Sequence, residues 1–407
     1  MTQMNIPFAK PDISQAEIDE VTAVLKSGWL TTGARAKRFE QGFIEATGGK
    51  YAVALNSCTA ALHLAVEALG LKAGQGVLVP TLTFAATAEV VRYVGAVPIM
   101  VDSEPNGDHM DLDDAERRLA ALREGKLAGV PRDAEVVGII PVHKAGIMMN
   151  MRKVNEFAAK HNLWVVEDAA HSFPAAWREN ENSPWIKCGQ NTSRVTCFSF
   201  YANKTITTGE GGMAVTDDET LADRMRVMSL HGLSQDAWKR YSYGKQKWDY
   251  RIVAPGFKYN LTDIAAAVGV HQLARAEQMR RNRKEVVLRY FKEFGTMEQM
   301  ELPYDDADRV HAWHLFEVKL NLDKLTIDRN AFFDELRARG VGCSVHWRPL
   351  HLHTYYEQTY GCKPEDWPVA TKLFDRIISL PLFSGMTEAE IDYVVKTVKE
   401  ILIAASK

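Results

Sequence analysis

Short, almost wholly apolar runs that alternate with helical stretches leave a chain few ways to bury both, and this alternation fills the first half of the sequence. Tyr51–Leu55, Gly76–Pro80, Val97–Asp102, Val136–Val142 and Leu163–Glu167 read as buried strands, with helices such as Thr59–Leu69, Ala115–Arg123 and Val154–His161 between them. Strands that are apolar on both sides need cover on both faces, and crossover helices supply it. The pattern therefore predicts an α/β fold on a large, mostly parallel sheet. An amphipathic helix precedes the first strand: Ser14 and Glu17 have capping-box spacing, and Ile18, Val21, Val24 and Leu25 recur on one face.

A second pattern follows. Asp263–Phe294 has few helix breakers and reads as one long helix leaving the large sheet. Beyond it, Leu315–Leu320, Gly342–His346 and Ile377–Leu380 read as strands alternating with helices near Asp328–Arg339 and Glu388–Ile403. The reading is a large domain over residues 1–265 and a smaller C-terminal α/β domain over 266–407, packed together without a flexible linker.

Composition excludes several classes. A formal charge of -3 provides no basic field for nucleic acid. Neither a leader-like N-terminus nor a membrane-length apolar run stands out, so a cytoplasmic protein is expected. Five widely spaced cysteines with no CxxC pair argue against a disulfide framework or a zinc site. His311, His314, His346, His351 and His353 make no compact ligand set, and no metal is expected. The arginine-rich run Arg275–Lys284 is interrupted by Glu277 and reads as a solvated helix face.

Open α/β sheets keep ligands beyond the carboxyl ends of their strands, so the residues just past each strand carry the functional signal. Val195–Phe200 reads as a strand, Lys204 sits in the loop after it, and glycines at 209, 211 and 212 turn the chain into Met213–Thr216. By itself Lys204 could be a solvated loop charge. Ser57, Cys58 and Thr59 open a helix after the first strand, where free N–H groups and hydroxyls suit a phosphate; simple capping by Ser57 is the competing reading. Asp168 closes Leu163–Glu167 and suits a pyridinium partner or a helix cap. His171 suits a ring hydroxyl, the substrate side, or ordinary burial, and Phe84 suits a stacking face or plain core. Together, phosphate cradle, ring clamp, pyridinium partner and Schiff-base lysine describe one cofactor, pyridoxal 5'-phosphate (PLP).

The sequence resembles the sugar aminotransferases of the DegT/DnrJ/EryC1/StrS family, PLP-dependent enzymes of fold type I, the aspartate aminotransferase fold. The motifs are Ser27-Gly-Trp-Leu-Thr-Thr-Gly33, Ser57-Cys-Thr-Ala-Ala-Leu62, Glu167-Asp-Ala-Ala-His171, Ser199 to Gly212, His231-Gly232, Pro255 to Asp263 and His311-Ala-Trp-His-Leu-Phe316. Phe257 to Asp263, His311 to Phe316 and Leu380-Pro-Leu-Phe383 are similar to the branch containing UDP-4-amino-4-deoxy-L-arabinose synthase. The resemblance implies that Lys204 carries the cofactor, Asp168 pairs with its ring nitrogen, Phe84 stacks on the ring, and Ser199, Thr59 and the backbone near Cys58 hold the phosphate. Cys58 stands where many members have Gly, a departure within the family's range.

It also implies a homodimer with shared active sites, in which Lys258 or Asn260 reaches the neighbouring site. Trp29, Thr31, Thr32, Glu210 and His231 are candidates to border the substrate. The implied reaction moves an amino group from L-glutamate to a nucleotide-linked keto-sugar, by a ping-pong route. A ketocyclitol acceptor, or a non-catalytic sensor that keeps the fold, are the alternatives. Lys204 argues against the family's sugar dehydratases, which carry His at that place.

Overall fold

The computed structural model describes residues 4–105, 107–234 and 251–407. Its main sheet contains β1 (Tyr51–Leu55), β2 (Gly76–Pro80), β3 (Val97–Val101), β4 (Val136–Ile139) and β5 (Trp164–Asp168), the predicted strands with ends trimmed or shifted by a few residues. A small antiparallel pair, β6 (Ala176–Trp177) and β7 (Ile186–Lys187), lies outside it, and β8 (Val195–Ser199) and β9 (Gly212–Thr216) complete it. The seven strands run in the order β1-β9-β8-β5-β4-β2-β3. Pairing is parallel from β8 through to β3, whereas β9 runs antiparallel between β1 and β8. This is the mostly parallel fold type I sheet. β2, β3 and β9 are buried at every position, which is why they read as unbroken apolar runs rather than alternating ones.

Two apolar layers cover this sheet. Alternation along β8 shows how each face is chosen: Val195 and Cys197 join the layer containing helix Cys58–Ala68, while Phe198 and Phe200 join the layer containing helix Ala34–Thr47. Phe43 meets Phe198 and Phe200 with ring centroids 4.9 and 5.4 Å away. Fully burying each such phenyl contributes about 1.5–3 kcal/mol and fixes the end of β8, beyond which Lys204 lies.

The C-terminal part has its own sheet and core. After β10 (Met300–Glu301) and β11 (Arg309–Val310), which pairs with β6, come β12 (Phe316–Leu320) and β13 (Ile377–Leu380). β10, β12 and β13 form an antiparallel sheet in that order. Helix Asp263–Phe294 serves both parts: Ala266, Val270 and Ala276 pack in the large core, and Val286, Val287, Tyr290 and Phe294 in the small one. Ile6 pairs with Val341 and packs in the small core, so the N-terminal segment crosses to that side.

The expected strand Gly342–His346 is not one. It is reduced to isolated bridges, Val341 with Ile6 on one side and Ser344 with Ser379 on the other, and Gly342 donates its N–H to the Ile6 carbonyl. The five cysteines are unpaired. Among the described residues no helix is long and apolar enough to cross a membrane.

Candidate active site

A cavity of about 400 Å³ opens where β5 and β8 end beside helix Cys58–Ala68, and Ser57, Cys58, Thr59, Phe84, Asp168, His171, Ser199, Lys204 and Glu210 all line it. Strand alternation accounts for Ser199, which points to the face opposite Phe198 and Phe200. The Lys204 loop is closed below by Phe200, whose N–H donates to the Gly211 carbonyl at 2.9 Å and whose carbonyl accepts from Thr208 N–H at 2.9 Å. Gly209 takes φ 81°, a left-handed conformation that favours glycine, while its N–H donates to Thr207 Oγ1.

Gly212, the first residue of β9, runs against the Ser57–Cys58 peptide. A Cβ there would lie 2.3 Å from the Ser57 carbonyl carbon, so only glycine lets the strand support the helix entrance so closely. Ser57 Oγ accepts from Ala60 N–H at 3.0 Å and caps the helix, so its capping role is present alongside its place on the cavity wall.

Asp168 is buried, with Oδ2 accepting from Thr87 Oγ1 at 2.8 Å and Oδ1 from Ala170 N–H at 3.1 Å. Burial raises its pKa, against the lowering effect of these bonds and of Lys204. Beneath it lies Glu167, buried and hydrogen-bonded by Thr192, by Thr196 at 3.0 Å and by His143 Nε2 at 2.7 Å. His143 Nδ1 accepts from Met149 N–H, so the proton sits on Nε2 and the ring is a donor to Glu167.

Burial pushes the Lys204 ammonium down to about 8, with Cys58 and Asp168 opposing it. Its Nζ is 3.5 Å from His314 Nε2. His314 and His171 pack with ring centroids 4.1 Å apart, and burial drives both well below the usual histidine range, so both are neutral. His171 Nδ1 accepts from Ala145 N–H, which leaves its proton on Nε2.

The donor set fits PLP: an amine whose pKa is lowered to about 8, a buried carboxylate, hydroxyls at a helix entrance, and the buried orphan oxygen Asn203 Oδ1 on the same wall. Lys204 would take the aldehyde, Asp168 the ring nitrogen, and Ser57, Thr59 and Ser199 the phosphate.

Other sequence candidates fall outside this wall. Lys258 Nζ donates to Asn260 Oδ1 at 2.6 Å, and Asn260 Nδ2 to Thr32 Oγ1 at 2.7 Å, on a segment that bridges back to Leu55. Trp29 Nε1 donates to the Thr32 carbonyl, and the Thr31 carbonyl accepts from Asp263 N–H. His231 is exposed at φ 57°. Conversely, Thr83, Tyr201, Asn203, His314, Ser344, His346 and Trp347 line the cavity without having been selected. His314 lies inside the motif His311–Phe316, so neighbouring motif residues were its available signal; His346 closes the segment read as a strand and figured otherwise only in the rejected metal set, and Trp347 lies just beyond that segment.

Comparisons with known proteins give the family. The spore coat polysaccharide biosynthesis protein SpsC of Bacillus subtilis is 38% identical over 98% of this chain and 98% of its own. Spr1654 from Streptococcus pneumoniae, solved in its PLP form, superposes with a TM-score of 0.85 at 30% identity, covering 98% of this chain and 99% of that one. The sugar aminotransferase CalS13 from Micromonospora echinospora superposes with a TM-score of 0.80 at 28% identity, covering 97% and 99%. The DegT/DnrJ/EryC1/StrS aminotransferase family model matches residues 11–399. This chain, with a lysine and a buried aspartate on the wall of one cavity, belongs to that family of PLP-dependent sugar aminotransferases.

Proposed function

We propose that the protein transfers an amino group from L-glutamate to a nucleotide-linked keto-sugar, at C4, by a ping-pong route, and that it works in the cytoplasm on precursors of a cell-surface polysaccharide. The observation that carries the reading is the common cavity of Lys204, with its depressed pKa, and the buried, doubly hydrogen-bonded Asp168. The likeness to the sugar aminotransferase CalS13 and to the polysaccharide biosynthesis protein SpsC supports a sugar acceptor. The motifs similar to the UDP-4-amino-4-deoxy-L-arabinose synthase branch support a UDP-linked 4-keto sugar.

When bound, PLP supplies an electron sink for the carbon that loses its proton. Asp168 would keep the ring nitrogen protonated. Lys204, as a neutral amine, would take the proton from the substrate carbon and return it across the ring-bound amine, and would reverse these roles for the acceptor. Phe84 lies on the cavity lip, 59% exposed, where it can cover the ring face. Neutral His171 and His314 add no positive charge beside the lysine.

The active unit is a homodimer with shared sites. Lys258 and Asn260 lie off the wall of their own chain's cavity, Lys258 on the surface, which is the placement expected of residues that serve a neighbour. The domain boundary falls near residue 265, at the start of the helix that spans both cores. Assaying purified protein with L-glutamate against UDP-, GDP- and dTDP-linked keto-sugars and a ketocyclitol tests the reading. Turnover of a nucleotide 4-keto sugar is expected, and turnover of the ketocyclitol alone would overturn it.

A further inference from the structure

We infer that Thr87, backed by Thr83, is the positioning residue that keeps Asp168 ionised and aimed at the cofactor ring nitrogen, an inference that rests on the role given to Asp168 above. Thr87 is fully buried and Thr83 almost so. Thr87 Oγ1 lies 2.8 Å from Asp168 Oδ2 and 2.8 Å from Thr83 Oγ1. An ionised carboxylate can only accept, so the Thr87 proton is committed to Asp168. The Thr87 oxygen then has one role left toward Thr83, that of acceptor, and the chain runs one way, from Thr83 to Thr87 to Asp168. Thr83 itself lines the cavity.

The second carboxylate oxygen is held by Ala170 N–H at 3.1 Å, so both oxygens are anchored and the plane of the group is fixed. Burial alone favours the neutral carboxylic acid, and the Thr87 bond opposes it. A neutral Asp168 would have no charge with which to hold a proton on the ring nitrogen. Thr87 also closes the turn that carries Phe84, its N–H donating to the Phe84 carbonyl at 3.3 Å. One segment, Thr83–Thr87, thereby sets both the acid and the residue at the ring face.

The test compares the holoenzyme with Thr87→Val, Thr87→Ser, Thr83→Val and Asp168→Asn. The readouts are the PLP dissociation constant by equilibrium dialysis and the pH titration of the bound cofactor's visible absorption. A hydrogen bond to a charged group carries enough free energy that Thr87→Val should weaken PLP binding about tenfold to a hundredfold. It should move the absorption titration in the same direction as Asp168→Asn. Thr87→Ser, which keeps the hydroxyl, should restore both, and Thr83→Val should give a smaller shift of the same sign.

Wild-type PLP affinity and titration in Thr87→Val would overturn the inference, as would Thr87→Ser behaving like Thr87→Val, since the hydroxyl alone would then not account for the effect. Should Thr87→Val not fold, Thr83→Val decides, and an unchanged titration in it counts against the relay. If Asp168→Asn itself leaves the titration and PLP affinity untouched, the assignment of Asp168 fails. If Asp168→Asn moves them and Thr87→Val does not, only the present inference fails.

Discussion

Burial acts in opposite directions on the two groups that define the cavity: it pushes Lys204 down to about 8 and Asp168 up. For the lysine this is useful, because a neutral amine is the nucleophile. With the ammonium pKa lowered from 10.5, the neutral fraction grows as pH rises toward 8 and is nearly complete a unit above it. The rate at which apo-protein captures PLP, followed by visible absorbance, should therefore rise through pH 8 and level off. A rate that keeps climbing toward pH 10.5 would show an ordinary surface lysine instead. Lys204→Ala should abolish the lysine-dependent absorbance and cost roughly 10²–10⁴ in rate, the usual worth of a general acid-base group. Lys204 and Asp168 were legible as strand-end residues with a stated chemistry. Thr83 and His314 were not: Thr83 bonds its near neighbour Thr87, a pairing that reads as local structure, and His314 meets Lys204 from more than a hundred residues away.

At the level of secondary structure, the proposed phosphate cradle depends on β9 lying against the entrance of helix Cys58–Ala68. Gly212→Ala would force a Cβ to within 2.3 Å of the Ser57 carbonyl, at a cost of roughly 1–3 kcal/mol as the strand or helix gives way. The expected result is a lower melting temperature together with loss of PLP retention; an unchanged holoenzyme would contradict the close packing. Ser57→Ala separates capping from cofactor binding. Loss of the cap costs about 1 kcal/mol in the apo-protein, and a phosphate role adds a further loss of stabilisation when saturating PLP is present. Equal losses in apo- and holo-protein would leave Ser57 as a cap alone. At this scale the strands of the main sheet were readable because they are buried on both faces, and helix Asp263–Phe294 because it lacks breakers. Gly342–His346 misled because the segment lies between the N-terminal residues and β13 and meets each only through an isolated bridge, which does not build a ladder.

Across the whole molecule, the large and small cores are joined by helix Asp263–Phe294 and by a buried ion cluster. Lys144 Nζ lies 2.8 Å from Asp108 and also pairs with Glu317 on β12, both lysine and glutamate being almost wholly buried. Burial lowers the Lys144 pKa, but the two carboxylates outweigh it and hold the lysine charged. Lys144→Met would leave those carboxylates facing each other and should destabilise the protein by about 3–5 kcal/mol, read by denaturant unfolding. A loss below about 1 kcal/mol would show that the cluster is not structural. No sequence pattern announced it, because its members are more than thirty residues apart and each alone reads as surface charge. The shared-site dimer is tested by mixing Lys204→Ala with Asn260→Ala subunits. Recovery of activity that neither variant has alone is expected, and no recovery after subunit exchange would place Asn260 outside the neighbouring site.

The central claim is that Lys204 and Asp168 hold PLP for amino transfer, and the first half-reaction tests it most directly. PLP-loaded protein mixed with L-glutamate and no acceptor should release one 2-oxoglutarate per active site and then stop until a nucleotide keto-sugar is added. Lys204→Ala should release none on that timescale. Failure of the loaded wild-type protein to release any 2-oxo acid from glutamate or another amino donor, or equal release by Lys204→Ala, would contradict the account.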